Sequence, residues 1–245
     1  ITWCSLSVTD EFLQTCRSRG EHVAYLRDGI MWLQTHGAPQ SVLSVDDFPV
    51  AMGGAARFNI ANGLGAMALT SALGIDIKTM RDGLSAFEST PENNPGRGNF
   101  FTIGGVKILL DFAHNPDGVR ALSEAVKAVP AKRKLFLLGQ GGDRSDDDIA
   151  DITKAVQASN PDMIVVKELP NILRGRQPGE VPAIILKTLS ALNVPDEAIM
   201  EAGCEIDAVK MALQWANQGD LLVLLVYGER QEVLDYLALL KDTHW

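Results

Sequence analysis

The chain predicts an α/β fold, a doubly wound and mainly parallel sheet with an antiparallel edge hairpin, preceded by a separate segment of different character. Three observations carry this. From residue 106 onward, short runs of Val, Ile and Leu alternate with amphipathic stretches, the mark of βα units. The first of these runs is preceded by another strand-like run and a Gly-Gly turn, which makes the sheet begin with a hairpin. Finally, residues 88–98, ESTPENNPGRG, are rich in Pro, Gly and Asn with no apolar content, the clearest linker in the chain. The expected division is 1–92 and 93–245.

Composition narrows the partners. The chain has 245 residues, 46% hydrophobic and 22% charged, which suits a globular protein of one large or two ordinary domains. Its 22 basic and 31 acidic side chains give a net charge of −9, with no basic tail. Nucleic acid and anionic membrane are therefore not expected as partners. The three cysteines, Cys4, Cys16 and Cys204, are odd in number and lack metal-ligand spacing, so a reducing, cytoplasmic setting is expected. No signal peptide or membrane-span-length apolar run is present in the sequence. The chain opens on Ile1-Thr2-Trp3, without Met and directly into a strand-like run, as expected of a fragment. The apolar residues Trp3 and Trp245 near its ends leave room for a homo-oligomer.

Residues 1–50 read as β-rich. His22–Arg27 and Ile30–Gln34 are joined by Asp28-Gly29, which suits a type I′ turn, and 42–45 is another short strand. Asp46-Asp47 reads as a solvated turn. Residues 58–73 form a helix of small residues, in which Ala61, Gly63, Gly65, Ala66 and Ala68 allow close backbone approach. Asn59 and Asn62 share one face near its start, either capping the helix or presenting amides to a purine edge. A second helix follows at 77–87. Arg97, set between Gly96 and Gly98, is either a solvated loop charge or an anchor reaching a ligand.

The second segment begins with the hairpin Asn99–Ile103, Gly104-Gly105, Val106–Asp111. After Asp111, the polar Phe112-Ala113-His114 turn leads to Asn115-Pro116-Asp117, a helix start with Asn as N-cap and Pro at the first position. This order places Asp111, His114, Asn115 and Asp117 at the carboxyl end of a strand, where open α/β sheets bind ligands. The alternative is that Asn115 and Asp117 only cap the helix and His114 is a loop residue. Strands Lys134–Leu138 and Met163–Lys167, runs near 198–202 and 221–226, and helices at 116–128, 146–158, 182–192, 206–217 and from about 231 complete the pattern.

Each strand end carries a polar turn. Gly139-Gln140-Gly141-Gly142-Asp143-Arg144 permits close approach to a ligand, and Ser145 with Asp148 reads as a capping box. It is neither a Walker A loop nor a dinucleotide fingerprint. Asp146, Asp147 and Asp148 are most simply helix-start charges. Arg174 and Arg176 are guanidinium forks suited to a carboxylate or phosphate, or a solvated pair. Glu229, just past a strand end, either holds an ammonium or guanidinium, pairs with the neighbours of Arg230, or caps the last helix.

In order, AARFNIANGLGAMALTSALGI, NPGRGNFF, DFAHNPDGVRAL, GQGGDRSDDDI and VVKELPNILRGRQPGE resemble the Mur ligase family, most closely its cyanophycin-synthetase branch. GGDR also resembles the peptidoglycan ligase that adds the third residue. The resemblance implies a Rossmann-like C-terminal domain preceded by the end of a central ATPase domain. It further implies an ATP-dependent amide ligase, in which a carboxylate becomes an acyl phosphate that an amino acid's amine displaces. The partners would be an amino acid and a peptide-like acceptor, with ATP and Mg²⁺ as cofactors. By resemblance, Asn59 and Asn62 lie by the adenine, Arg97 near the phosphates or ribose, and Asp111 on the ribose. His114 and Asn115 line the cleft as catalytic residues. Arg144, Arg174 and Arg176 face the amino acid's carboxylate, and Glu229 its amine or side chain. The family's Gly-Lys-Thr/Ser loop, Mg²⁺-binding Glu and His, and modified lysine are absent from the sequence, and Phe112 replaces a commoner Tyr. The chain alone is therefore expected to be inactive. The rival expectations are a peptidoglycan-precursor ligase and a non-catalytic nucleotide- or amino-acid-binding module.

Overall fold

In the computed structural model, which describes residues 1–242, Asp28 and Gly29 take φ of 52° and 72°. The left-handed pair closes a two-residue type I′ turn between β2 (His22–Arg27) and β3 (Ile30–Gln34), with Arg27 opposite Ile30. The same device, Gly104 and Gly105 at 54° and 80°, joins β5 (Asn99–Ile103) to β6 (Val106–Asp111). Two compact units divide the chain, Ile1–Glu88 and Ser89–Trp245.

In the first unit, β1 (Thr2–Ser5) runs parallel to β2, and β4 (Gln40–Ser44) pairs antiparallel with β3. The β-rich expectation for residues 1–50 missed one helix, α1 (Asp10–Ser18), which Thr9 caps by accepting the Phe12 N–H at 3.1 Å. Helices α2 (Arg57–Ala72) and α3 (Ile77–Ala86) pack on this sheet around Met31, Leu33, Phe48, Ile60 and Leu64. Of the expected close-approach residues, Gly63 has the tightest requirement. A Cβ there would meet Met31 Cε and Phe48 Cε1, both at 2.8 Å, whereas one at Gly65 would meet nothing within 4 Å. Trp3 is partly exposed and its indole N–H donates to Glu21 at 2.8 Å; Trp245 lies outside the described residues.

The second unit is one six-stranded sheet in the order β5-β6-β10-β7-β8-β9, where β7 is Lys134–Leu138, β8 Met163–Lys167, β9 Ile199–Ala202 and β10 Leu221–Leu225. Only the β5–β6 pairing is antiparallel. Crossovers run through α4 (Pro116–Ala128), α5 (Asp146–Gln157), α6 (Glu180–Ala191) and α7 (Glu205–Trp215), and α8 (Arg230–Asp242) closes the chain. Alternate residues Ile108, Leu110, Leu135, Leu137, Val165, Leu222 and Leu224 pack with Val209 and Leu213 of α7 and Val233 and Leu237 of α8. Leu109, Phe136, Ile164 and Val223, equally buried, face the other way; α4, α5 and α6 lie side by side. Burial on both faces explains why these strands read as continuous apolar runs rather than alternating ones. Among the described residues, no helix is long and apolar enough to cross a membrane.

Register fixes the working edge. Leu225 of β10 pairs with Asp111, Leu224 with Leu137 of β7, and Leu138 with Val166 of β8. The four central strands therefore end level, and their following loops emerge side by side.

Candidate functional site

Those loops enclose a cavity of about 180 Å³, lined by Phe112 and His114 after β6, Gln140, Gly141, Asp143 and Arg144 after β7, Ile172 and Arg174 after β8, and Tyr227 after β10. The glycines make the enclosure possible. A Cβ on Gly142 would sit 1.8 Å from the Leu173 carbonyl oxygen, so the β7 and β8 loops touch backbone to backbone only because that side chain is missing.

Three expected site residues meet in this cavity: His114, Arg144 and Arg174. His114 is held by a 3.0 Å contact between Nδ1 and the Phe112 carbonyl, and its ring lies 5.0 Å from that of Phe112. Arg174, at φ 46°, pairs with Asp143 at 2.6 Å across the two loops. Burial works against the Asp143 charge, yet the hydrogen bond and charge of Arg174, a backbone N–H and the Arg144 charge together outweigh it and hold the carboxyl below its usual range. The half-buried Arg144 guanidinium makes no hydrogen bond or ion pair among the described residues.

Other expected residues are occupied by structure. Asn115 caps α4, its Oδ1 accepting the Gly118 N–H at 2.8 Å, and is not among the cavity residues. Arg176 spends its guanidinium on the β7 loop, donating to the Gly142 and Arg144 carbonyls and to Asp146. The Glu229 carboxylate accepts the Ile206 N–H at 2.8 Å, serving the start of α7, while its main-chain carbonyl accepts the Val233 N–H of α8 at 3.0 Å. The Asp146–Asp148 run belongs to a helix start, where Ser145 accepts the Asp148 N–H at 3.1 Å.

Arg97 and Asp111 flank the cavity wall. The exposed Arg97 guanidinium lies 4.7 Å from the Phe112 ring centroid, a cation–π contact. Asp111 accepts the Ala113 N–H at 2.6 Å. Burial nonetheless raises its carboxyl above the usual range, against the pull of backbone N–H groups and Arg97. In the first unit, Asn59 donates to the Val50 carbonyl at 2.8 Å, tying α2 to the preceding turn rather than capping it, and the exposed Asn62 reaches Asn59 at 3.5 Å.

Sequence reasoning missed Gln140, Asp143, Ile172 and Tyr227 as site residues. Tyr227 carries a signal in the sequence, a polar position directly after the β10 run. Its hydroxyl donates to the Ala113 carbonyl at 2.6 Å and accepts from Gln140 at 3.0 Å. Burial pushes the phenol well above its ordinary range.

The glutamate ligase domain of the Mur ligases matches residues 96–228. The chain belongs to the Mur ligase family. It is 31% identical over 226 residues to a cyanophycin synthetase of Crocosphaera subtropica, covering 91% of this chain and 25% of the relative. Against a UDP-N-acetylmuramoyl-L-alanyl-D-glutamate–2,6-diaminopimelate ligase of Gloeobacter violaceus it is 32% identical over 179 residues, covering 70% of this chain and 33% of that one. Among solved structures, E. coli FolC in complex with ADP shares the fold with a TM-score of 0.64 at 18% identity, over 95% of this chain and 52% of that chain. The chain thus spans about a quarter of the length of the cyanophycin synthetases it matches.

Proposed function

We propose that this chain is part of an ATP-dependent carboxylate–amine ligase of the cyanophycin-synthetase type, and that the second unit receives the incoming amino acid. The observation that carries the reading is the cavity itself, which sets an uncommitted guanidinium, Arg144, beside a paired cation and anion, Arg174 and Asp143. A free amino acid carries both charges. Arg144 takes the α-carboxylate, a guanidinium–carboxylate match that also orients the amine. Exchange with the Arg174–Asp143 pair accommodates the remaining charged groups, and His114 lies within the same wall for a proton released by the amine.

ATP supplies the activation of the acceptor carboxylate, as an acyl phosphate. Arg97 fits a phosphate, since its exposed guanidinium makes no ion pair among the described residues. Asn59 fits an adenine less well than expected, because Val50 already takes its amide N–H. For Mg²⁺ the residues do not fit: among the described residues no three His, Cys, Asp or Glu side chains converge. The expected Mg²⁺ is left to nucleotide phosphates and ligands elsewhere in the ligase.

Calorimetric titration of the chain with each of the twenty amino acids tests the site. One amino acid, or a chemically related pair, should bind, and Arg144→Ala should weaken it at least tenfold. Binding of none, or binding indifferent to Arg144, overturns the reading. ADP release by the full-length ligase that depends on the same amino acid would extend it to the reaction.

A further inference from the structure

Behind the cavity lies an ion pair that the proposed chemistry does not use. Lys167, the last residue of β8, and Glu205, the first of α7, both have 0% side-chain exposure. Lys167 Nζ donates to Glu205 Oε1 and to the Leu225 carbonyl at the end of β10. Glu205 then accepts two backbone N–H groups of the next turn, Tyr227 at 2.8 Å and Glu229 at 2.7 Å. Glu229 returns a bond to Ile206, which closes a ring of contacts between α7 and the β10–α8 turn.

The network reaches the cavity through Tyr227. The Lys167 ammonium sits 4.8 Å from its ring centroid, and the Phe112 ring meets it edge-on at 5.5 Å. The hydroxyl, bonded to Ala113 and Gln140, bridges the β6 and β7 loops. Lys167 also packs under the β7 loop directly: a Cβ on Gly139 would lie 2.7 Å from both its Cγ and its carbonyl oxygen. One buried cation thus touches the ends of β7, β8 and β10, and reaches β6 through one phenol.

We infer that Lys167 and Glu205 are positioning residues of the candidate site, holding Tyr227 and with it the cavity wall in a single arrangement. Buried pairs contribute little net stability, because desolvation offsets attraction, but a fully hydrogen-bonded one excludes alternative packings. Burial itself pushes the Lys167 ammonium toward neutrality, with Glu205 pulling the other way. The functional weight of the inference rests on the amino-acid site read above. Its structural content does not.

The test uses the shape-conserving double variant Lys167→Met/Glu205→Gln, labelled with 3-fluorotyrosine. The chain has three tyrosines, Tyr25, Tyr227 and Tyr236, so Tyr227→Phe assigns the resonance. The Tyr227 fluorine signal should shift or broaden while the other two stay. Amide exchange should accelerate at least tenfold at 139–141 and 226–230 and remain unchanged in the β2–β3 hairpin and in α6. An unmoved Tyr227 signal with unchanged exchange overturns the inference, and so does uniform acceleration across the second unit, which marks a merely structural pair. Should the double variant not fold, Tyr227→Phe decides: faster exchange at 113–114 and 140 supports the bridge, and unchanged exchange there overturns it. No ligand enters either readout, so failure here leaves the amino-acid reading to its own titration.

Discussion

Arg176 donates to the main-chain carbonyl of Arg144 at 2.7 Å and to that of Gly142 at 3.0 Å, so one arginine holds the loop that presents another. The two-arginine motif at 174 and 176 therefore splits its labour, with Arg174 lining the cavity and Arg176 building it. Charge-assisted bonds of this kind are each worth about 1.5–3 kcal/mol when half-buried, less where solvent competes. Arg176→Ala should destabilise the second unit by roughly 1–3 kcal/mol, and Arg176→Lys should rescue only part of it, because an ammonium lacks the fork. Chemical denaturation of the three proteins checks this, and equal stability would show that the loop holds itself.

Gly142 gives the sharpest steric prediction. Alanine there would drive a Cβ to 1.8 Å from the Leu173 carbonyl oxygen, which only backbone movement can relieve. Gly142→Ala should cost about 3 kcal/mol or slightly more, at the upper end of overpacking penalties, and should abolish amino-acid binding. Gly203→Ala, where a Cβ meets nothing within 4 Å, is the control and should melt within a degree or two of the parent.

Asn115 separates capping from chemistry. Its replacement by Ala should cost about 1 kcal/mol, the usual value of an N-cap, while Asp should retain the bond to Gly118 and the stability. If Asn115→Ala left thermal stability intact yet eliminated turnover in the full ligase, the capping assignment would be the wrong account of this residue.

Asp220 predicts an acid limb. Its side chain is 1% exposed and bonds Arg133 at 2.5 Å, with Arg133 37% exposed and lying over the Trp215 ring at 3.8 Å. Burial raises the carboxyl pKa, but the Arg133 bond and the Asn217 N–H more than reverse it, leaving the folded value below 3.8. The unfolded chain then binds the proton more readily, so this stability is present above the unfolded value. It is lost as pH falls through the folded one. Asp220→Asn should lower stability by about 1–3 kcal/mol at pH 7, discounted for the solvent at Arg133, and should flatten the decline below about pH 4. Unfolding midpoints from pH 7 to pH 2 for both proteins give the answer.

Much of this architecture was legible because it rests on local chemistry. Helix α4 begins where Asn115-Pro116 says it should, and the hairpins at 28–29 and 104–105 follow from residues that tolerate positive φ. The parallel strands announced themselves as apolar runs because both faces are covered. Helix α1 went unread although Thr9-Asp10-Glu11 is a serviceable start, since its apolar stripe is short, only Phe12, Leu13 and Cys16 in nine residues.

The sequence alone determined which residue types stand at each strand end, and from their order, the family. It left open which of them face a common cavity. That was decided by the tertiary structure, through the insertion of β10 between β6 and β7, which brings Tyr227 between loops more than eighty residues away in sequence. The same packing turned Arg176 and Glu229 inward to backbone groups that would otherwise be left without partners. Local pattern reports what a side chain is able to bond. Which bond it makes depends on the buried donor or acceptor nearest to it, and only the fold sets that distance.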